Sequence, residues 1–142
     1  MLKEEITYTD YDGVERTETF YFNLTRAEII EMEVLYPGGL AEVMENAIKA
    51  KDSKRLFTLF KDLIKASYGE KSEDGRRFMK SDEISRGFFE NPAYDELYLK
   101  MTTDEHFAAE FVKGILPLDK LDEGDRDDLL KRFEERVEGK KQ

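Results

Sequence analysis

The chain contains no cysteine and no tryptophan, one histidine and three prolines. Without cysteine there are no disulfides, no thiolate nucleophile and no sulfur-ligated metal, and a reducing compartment is permitted. With His106 as the single histidine, any Ser-His-Asp arrangement has only one candidate base, and no G-x-S-x-G elbow supplies its nucleophile. There is no Walker A loop and no dinucleotide-binding glycine fingerprint. No run approaches the ~20 apolar residues that span a bilayer. The opening MLKEEITYTD has neither an apolar leader region nor an Arg-rich amphipathic pattern, so the expected compartment is the cytoplasm. Basic residues are also in deficit: the formal charge is −10, which repels a phosphate backbone unless a segregated basic face is present, and none is visible.

What is present is amphipathic pattern. Residues 2–22 alternate, with Leu2, Ile6 and Tyr8 and then Val14, Phe20 and Phe22 as the apolar set, and Asp12-Gly13 as the turn of a β-hairpin. Thr25 and Glu28 have the spacing of a capping box opening a helix that stops before Pro37, Gly38 and Gly39. Leu40, Val43, Met44, Ala47 and Ile48 form the stripe of a second helix. Asp52 or Ser53 caps a third, whose Leu56, Phe57, Leu59, Phe60, Leu63 and Ile64 mark it as central. After a polar, turn-rich connector at residues 68–81, Ser81 and Asp82 start a helix carrying Ile84 and Phe88, and Asn91-Pro92 starts another carrying Tyr94, Leu97, Tyr98 and Met101. Thr102 or Thr103 is the expected cap of a further helix, closed by Gly114 and Pro117.

The expected fold is mainly α: a compact helical domain with a small N-terminal β-hairpin, α+β by a strict count. One globular domain covers residues 1–117, with the hairpin at 2–22 and helices over 25–117. Residues 118–142, with Leu129, Leu130, Phe133 and Val137 at helical spacing, form a charged C-terminal segment, helical and partly mobile.

The candidate sites are few. His106 and Glu110 lie one helical turn apart, but a pair without a second histidine reads better as surface residues than as metal ligands. TDYDG and SEDG resemble calcium loops only superficially. Aligning Gly13 or Gly75 with the loop glycine puts Tyr8 or Glu70 first and Thr19 or Ser81 last, so both segments read as turns. The numerous carboxylates carry no catalytic signal in so acidic a chain. Catalytic, cofactor and metal residues are therefore expected to be absent. Arg76, Arg77 and Phe78, with Lys80 nearby, make the one basic-aromatic cluster, and Glu70, Glu73 and Asp74 beside them favour a protein contact over nucleic acid. Phe88, Phe89 and Tyr94 are candidate anchors, since two adjacent phenylalanines on a helix cannot face the same way.

Three phrases, YTDYDGVERTETFYFNLTRAEIIEME, YGEKSEDGRRFMKS and FFENPAYDELYLKMTTDEHFAAEFVKGILP, resemble the tail assembly chaperones of long-tailed bacteriophages, over roughly residues 5–117. The resemblance implies a non-catalytic, mostly helical protein of the infected host's cytoplasm. Such a protein binds the tape measure protein, helps recruit the major tail protein of the tube, and is absent from the mature virion. It implies neither nucleic acid nor membrane as partner, and leaves self-association open. A longer frameshifted form also occurs among such chaperones, and Gly139-Lys140-Lys141 is compatible with an A-rich slippery run. The competing readings are a virion structural protein of the tail or connector, an acidic DNA mimic blocking a host protein, and last a small hydrolase. Interspersed Lys and Arg argue against the mimic, which needs carboxylates in rows.

Overall fold

The computed structural model describes residues 1–36 and 40–115. Among these are six helices and one antiparallel sheet of four strands in sequence order. The expected C-terminal segment 118–142 and Pro117 lie outside the described residues. The chain divides into two compact units, with Met1–Asn23 and Lys61–Ile115 in the first and Leu24–Phe60 in the second.

In the first unit, β1 (Leu2–Thr9) pairs with β2 (Glu15–Phe22) so that Leu2 faces Phe22 and Thr9 faces Glu15. Asp10 builds the turn between them. Its Oδ1 accepts from the amides of Asp12 and Val14, its Oδ2 from Arg16 Nε at 2.6 Å, and Gly13 takes the positive φ of 82° that closes the loop. The arginine first, and then the amides, hold the Asp10 carboxyl below its ordinary range. Val14, expected on the apolar face, is half exposed because it belongs to this turn. Ile6, Tyr8, Phe20 and Phe22 are buried, whereas the alternate residues are open to solvent or partly so, the pattern of a sheet covered on one side.

The expected connector at residues 68–81 is instead a second hairpin. β3 (Tyr68–Lys71) pairs with β2 through Tyr21–Gly69 and Phe22–Tyr68, and β4 (Phe78–Met79) pairs with β3. The amide of Asn23 donates to Ser67 O and extends this ladder. Gly69 is buried for a steric reason: a Cβ there would lie 2.6 Å from the Phe78 ring and 2.8 Å from Met79 O. Lys80 follows β4 and donates its Nζ to two carbonyls, Asn23 O at 2.7 Å and Ala66 O at 2.8 Å, joining the ends of β2 and of the long helix before β3.

Helices cover the sheet's apolar side. α4 (Asp82–Phe89) is capped by Ser81, whose hydroxyl accepts from the Ile84 amide, and packs on β3. α5 (Pro92–Thr103) is capped by Asn91 with Pro92 in the first turn, and packs on β1. α6 (Glu105–Ile115) is capped by Asp104, which accepts from the Phe107 amide. The two threonines expected in that role point backwards, their hydroxyls both donating to Leu99 O at the end of α5. Nor does Gly114 end α6. It lies within the helix, where a Cβ would meet Leu2 Cδ1 at 2.7 Å, so its smallness admits the first strand.

In the second unit, α1 (Arg26–Leu35) opens with the full capping box: Glu28 N donates to Thr25 Oγ1, and Thr25 N to Glu28 Oε1. α2 (Leu40–Ala50) buries Leu40, Met44 and Ala47. It ends at Lys51, whose φ of 54° turns the chain so that Asp52 N donates to Ala47 O. Asp52 then caps α3 (Ser53–Ser67) by accepting from Arg55 N, and α3 runs on into the first unit. Leu59, Phe60, Leu63 and Ile64 are buried along it, whereas Phe57 is exposed at 36%.

Candidate partner-binding surfaces

The centre of the first unit is aromatic. Phe88 is 2% exposed and touches Phe20, Phe22, Tyr68, Phe89 and Tyr94, with ring centroids between 4.5 and 6.4 Å. Its surface is consumed by this packing, so of the adjacent pair only Phe89 keeps ring area open to solvent. Phe89 meets Tyr94 edge-on at 4.8 Å, and Tyr94 leans on Tyr98 at 5.8 Å. Burial, with some help from Tyr98, raises the Tyr94 hydroxyl's pKa. The three half-buried rings Phe89, Tyr94 and Tyr98 make an aromatic corner where α4 hands over to α5.

Arg76 and Arg77 occupy a different place, the exposed tip of the second hairpin. The tip is built locally. Ser72 N donates to Arg77 O, Ser72 Oγ accepts from Arg77 N, and Asp74 Oδ1 accepts from Ser72 Oγ at 2.7 Å and from Arg76 N at 3.0 Å. Gly75 sits at φ 72°. The Ser72 hydroxyl first, and the Arg76 amide next, keep the Asp74 carboxyl below its usual range. Asp10 and Asp74, one acidic residue from each of the two calcium-like phrases, thus each serve a turn. Phe78 is half buried, its ring lying over Gly69 on one side with Lys80 Nζ 5.7 Å from its centroid. The three residues of the basic-aromatic cluster therefore divide: two guanidiniums point to solvent and the ring supports the hairpin.

A surface that periodicity did not single out lies on α1. Ile29 and Met32 are its buried side, yet Ile30, Val34 and Leu35 are exposed at 45%, 71% and 73%. Ile30 and Val34 are one turn apart and so share a face. Apolar residues on both sides of a ten-residue helix erase the contrast by which an amphipathic helix is read, so periodicity does not reveal the open face.

The fourth feature is a groove of about 300 Å³ between β1 and α5, with Phe107 of α6 beside it. Glu4 lines it, and burial raises the pKa of its carboxyl, partly offset by the nearby Lys100. Lys100 Nζ stands 4.2 Å over the Phe107 ring. His106 is exposed, and Glu110 approaches Lys113 at 3.9 Å. Among the described residues no three His, Asp or Glu side chains gather as a metal would need, and no helix is long and apolar enough to cross a membrane.

The described residues thus present an open apolar helix face, an aromatic corner, a charged hairpin tip and an edge groove. No curated protein and no solved structure matches the chain. A family model described as phage tail assembly chaperone matches residues 1–141, which includes all of the described fold. The chain belongs to the phage tail assembly chaperone family.

Proposed function

We propose that this chaperone binds the phage tape measure protein, keeps its apolar helical stretches in solution, and helps recruit the major tail protein as the tube is built. It acts without catalysis, in the cytoplasm of the infected host, and leaves before the virion is complete. The observation that carries this reading beyond family membership is the exposed face of α1. Ile30 and Val34, one turn apart, leave an apolar strip on a helix, with Leu35 exposed beyond it, the kind of surface that takes an apolar helix of a partner. The charge of −10 suits the role, because a strongly charged carrier keeps a complex with an apolar cargo dissolved. Arg76 and Arg77 at the hairpin tip, and Phe89 with Tyr94 at the α4–α5 corner, are the further contacts available to a second partner.

Co-expression with the tape measure protein of the same phage tests the proposal. The expected result is a soluble complex that co-purifies, and a chaperone missing from purified particles by mass spectrometry. An insoluble tape measure protein with no complex counts against it, and recovery of the chain from washed particles supports a structural role instead.

A further inference from the structure

β1 is one of the two outer strands of the sheet, and among the described residues no strand pairs with its outer side. An edge strand presents backbone N–H and C=O groups outward, a template for one more strand. The groove described above runs along this edge. Four consecutive residues, 4 to 7, line it; successive residues of a strand belong to opposite faces, so a lining that takes in all four follows the strand's edge and not one face. The opposite wall comes from α5, with Leu97, Leu99 and Lys100, and Phe107 adds an apolar end. Leu99 is 51% exposed in the wall, an apolar surface available to a side chain placed beside it.

The charges select the occupant. Lys100 Nζ is held over the Phe107 ring at 4.2 Å, and it is the single cation among the lining residues against Glu4, Glu5 and Glu96. Glu5 and Glu96, also at the groove, form no salt bridge among the described residues. Side chains of an added strand would alternate, one set entering the space between β1 and α5 and the other lying over the sheet's open face beside Glu5. Apolar residues suit the first set and basic residues the second. We propose that this groove takes an extended segment of a protein partner in which apolar and basic residues alternate, added to the sheet as a fifth strand along β1. A second copy of this chain, pairing edge to edge with Lys3 opposite Glu5, is the other occupant, and the test below separates it. The site is separate from the α1 face, so it stands or falls independently of the tape measure protein being the cargo.

The test uses the full chain and three capped eight-residue peptides: one alternating lysine with valine, one alternating glutamate with valine, and one with the same lysines but proline at every second valine. Binding is followed by backbone amide shifts and amide exchange. The lysine–valine peptide is expected to bind with shifts confined to β1 and α5 and slowed exchange along β1. The proline peptide keeps the charge but cannot complete the ladder, and should bind at least about tenfold more weakly. A chain carrying Glu5→Lys and Glu96→Lys, both at exposed positions, should instead prefer the glutamate–valine peptide. Equal binding of the lysine and proline peptides would overturn the proposal by reducing it to charge attraction. Shifts located elsewhere, or no binding at millimolar peptide, would overturn it outright. Concentration-dependent β1 shifts in the chain alone would assign the edge to a second copy and likewise reject it.

Discussion

The rings of Tyr68 and Phe88 stack 4.5 Å apart at an interplanar angle of 18°, joining the first residue of β3 to the inner face of α4. Phe20 and Phe22 of β2 close on the same Phe88 ring, so one side chain links two strands and a helix. Replacing it removes the hub. Phe88→Ala is expected to cost about 3–5 kcal/mol, a large share of the roughly 5–15 kcal/mol that holds a domain folded. Urea denaturation followed by circular dichroism measures the loss; a cost below about 1 kcal/mol would mean the ring is not central.

Two glycines separate a rigid obstacle from a yielding one. At Gly69 a new methyl meets an aromatic ring and a backbone carbonyl, neither of which moves without disturbing the β3–β4 pair. Gly69→Ala should cost about 1–3 kcal/mol. At Gly114 the obstacle is the tip of Leu2, which can rotate away, and alanine is the better helix former by ~1 kcal/mol. Gly114→Ala should therefore be close to neutral in thermal melts, and the ordering of the two variants is the check.

Lys80 ties two chain ends together through hydrogen bonds from one ammonium group. Lys80→Met keeps much of the aliphatic stem but leaves Asn23 O and Ala66 O without that donor, which should cost about 1–3 kcal/mol. Hydrogen exchange should quicken at the Asn23 amide, whose bond to Ser67 O lies beside the tie. Unchanged exchange there would remove Lys80 from this role.

Burial, with smaller contributions from Glu70 and Glu18, pushes the Tyr68 hydroxyl up to about 12. In the unfolded chain it titrates near 10, so between these values the folded state holds the proton more tightly. Its contribution is complete below pH 10 and is lost as the pH rises through the folded value. Stability should decline over that alkaline window, and Tyr68→Phe should flatten the decline relative to the parent. Parallel curves for the two proteins would show that Tyr68 is not its source.

Local chemistry was the most legible part of the fold. The capping box at Thr25 and Glu28 and the Asn91-Pro92 start act within a few residues, and the structure has both. The second hairpin was not legible, because β3 and β4 are only four and two residues long and Tyr68–Gly69 gains its partner from β2, far away in sequence. Short strands interrupted by glycine and charge have no alternation of their own to read. The cap of α6 was misplaced for a related reason: three consecutive residues, Thr102, Thr103 and Asp104, are all competent caps, and only the course of α5 decides which remains free. Of the candidate contact residues, the sequence could pair Phe88 with Phe89 but not decide which ring enters the core. The open strip on α1 escaped detection because covering one side of an apolar helix is a property of its neighbours, not of its own pattern.

The most direct measurement is titration of the tape measure protein's apolar helical region into the purified chain, beside a variant carrying Ile30→Asp and Val34→Asp. Both positions are exposed, so the variant should keep the parent's circular dichroism. The parent is predicted to bind, and the variant to lose at least tenfold in affinity, on the order of 1.4 kcal/mol or more. Equal affinity for the two would contradict the assignment of the α1 face, and no binding by the folded parent would contradict the proposed cargo itself.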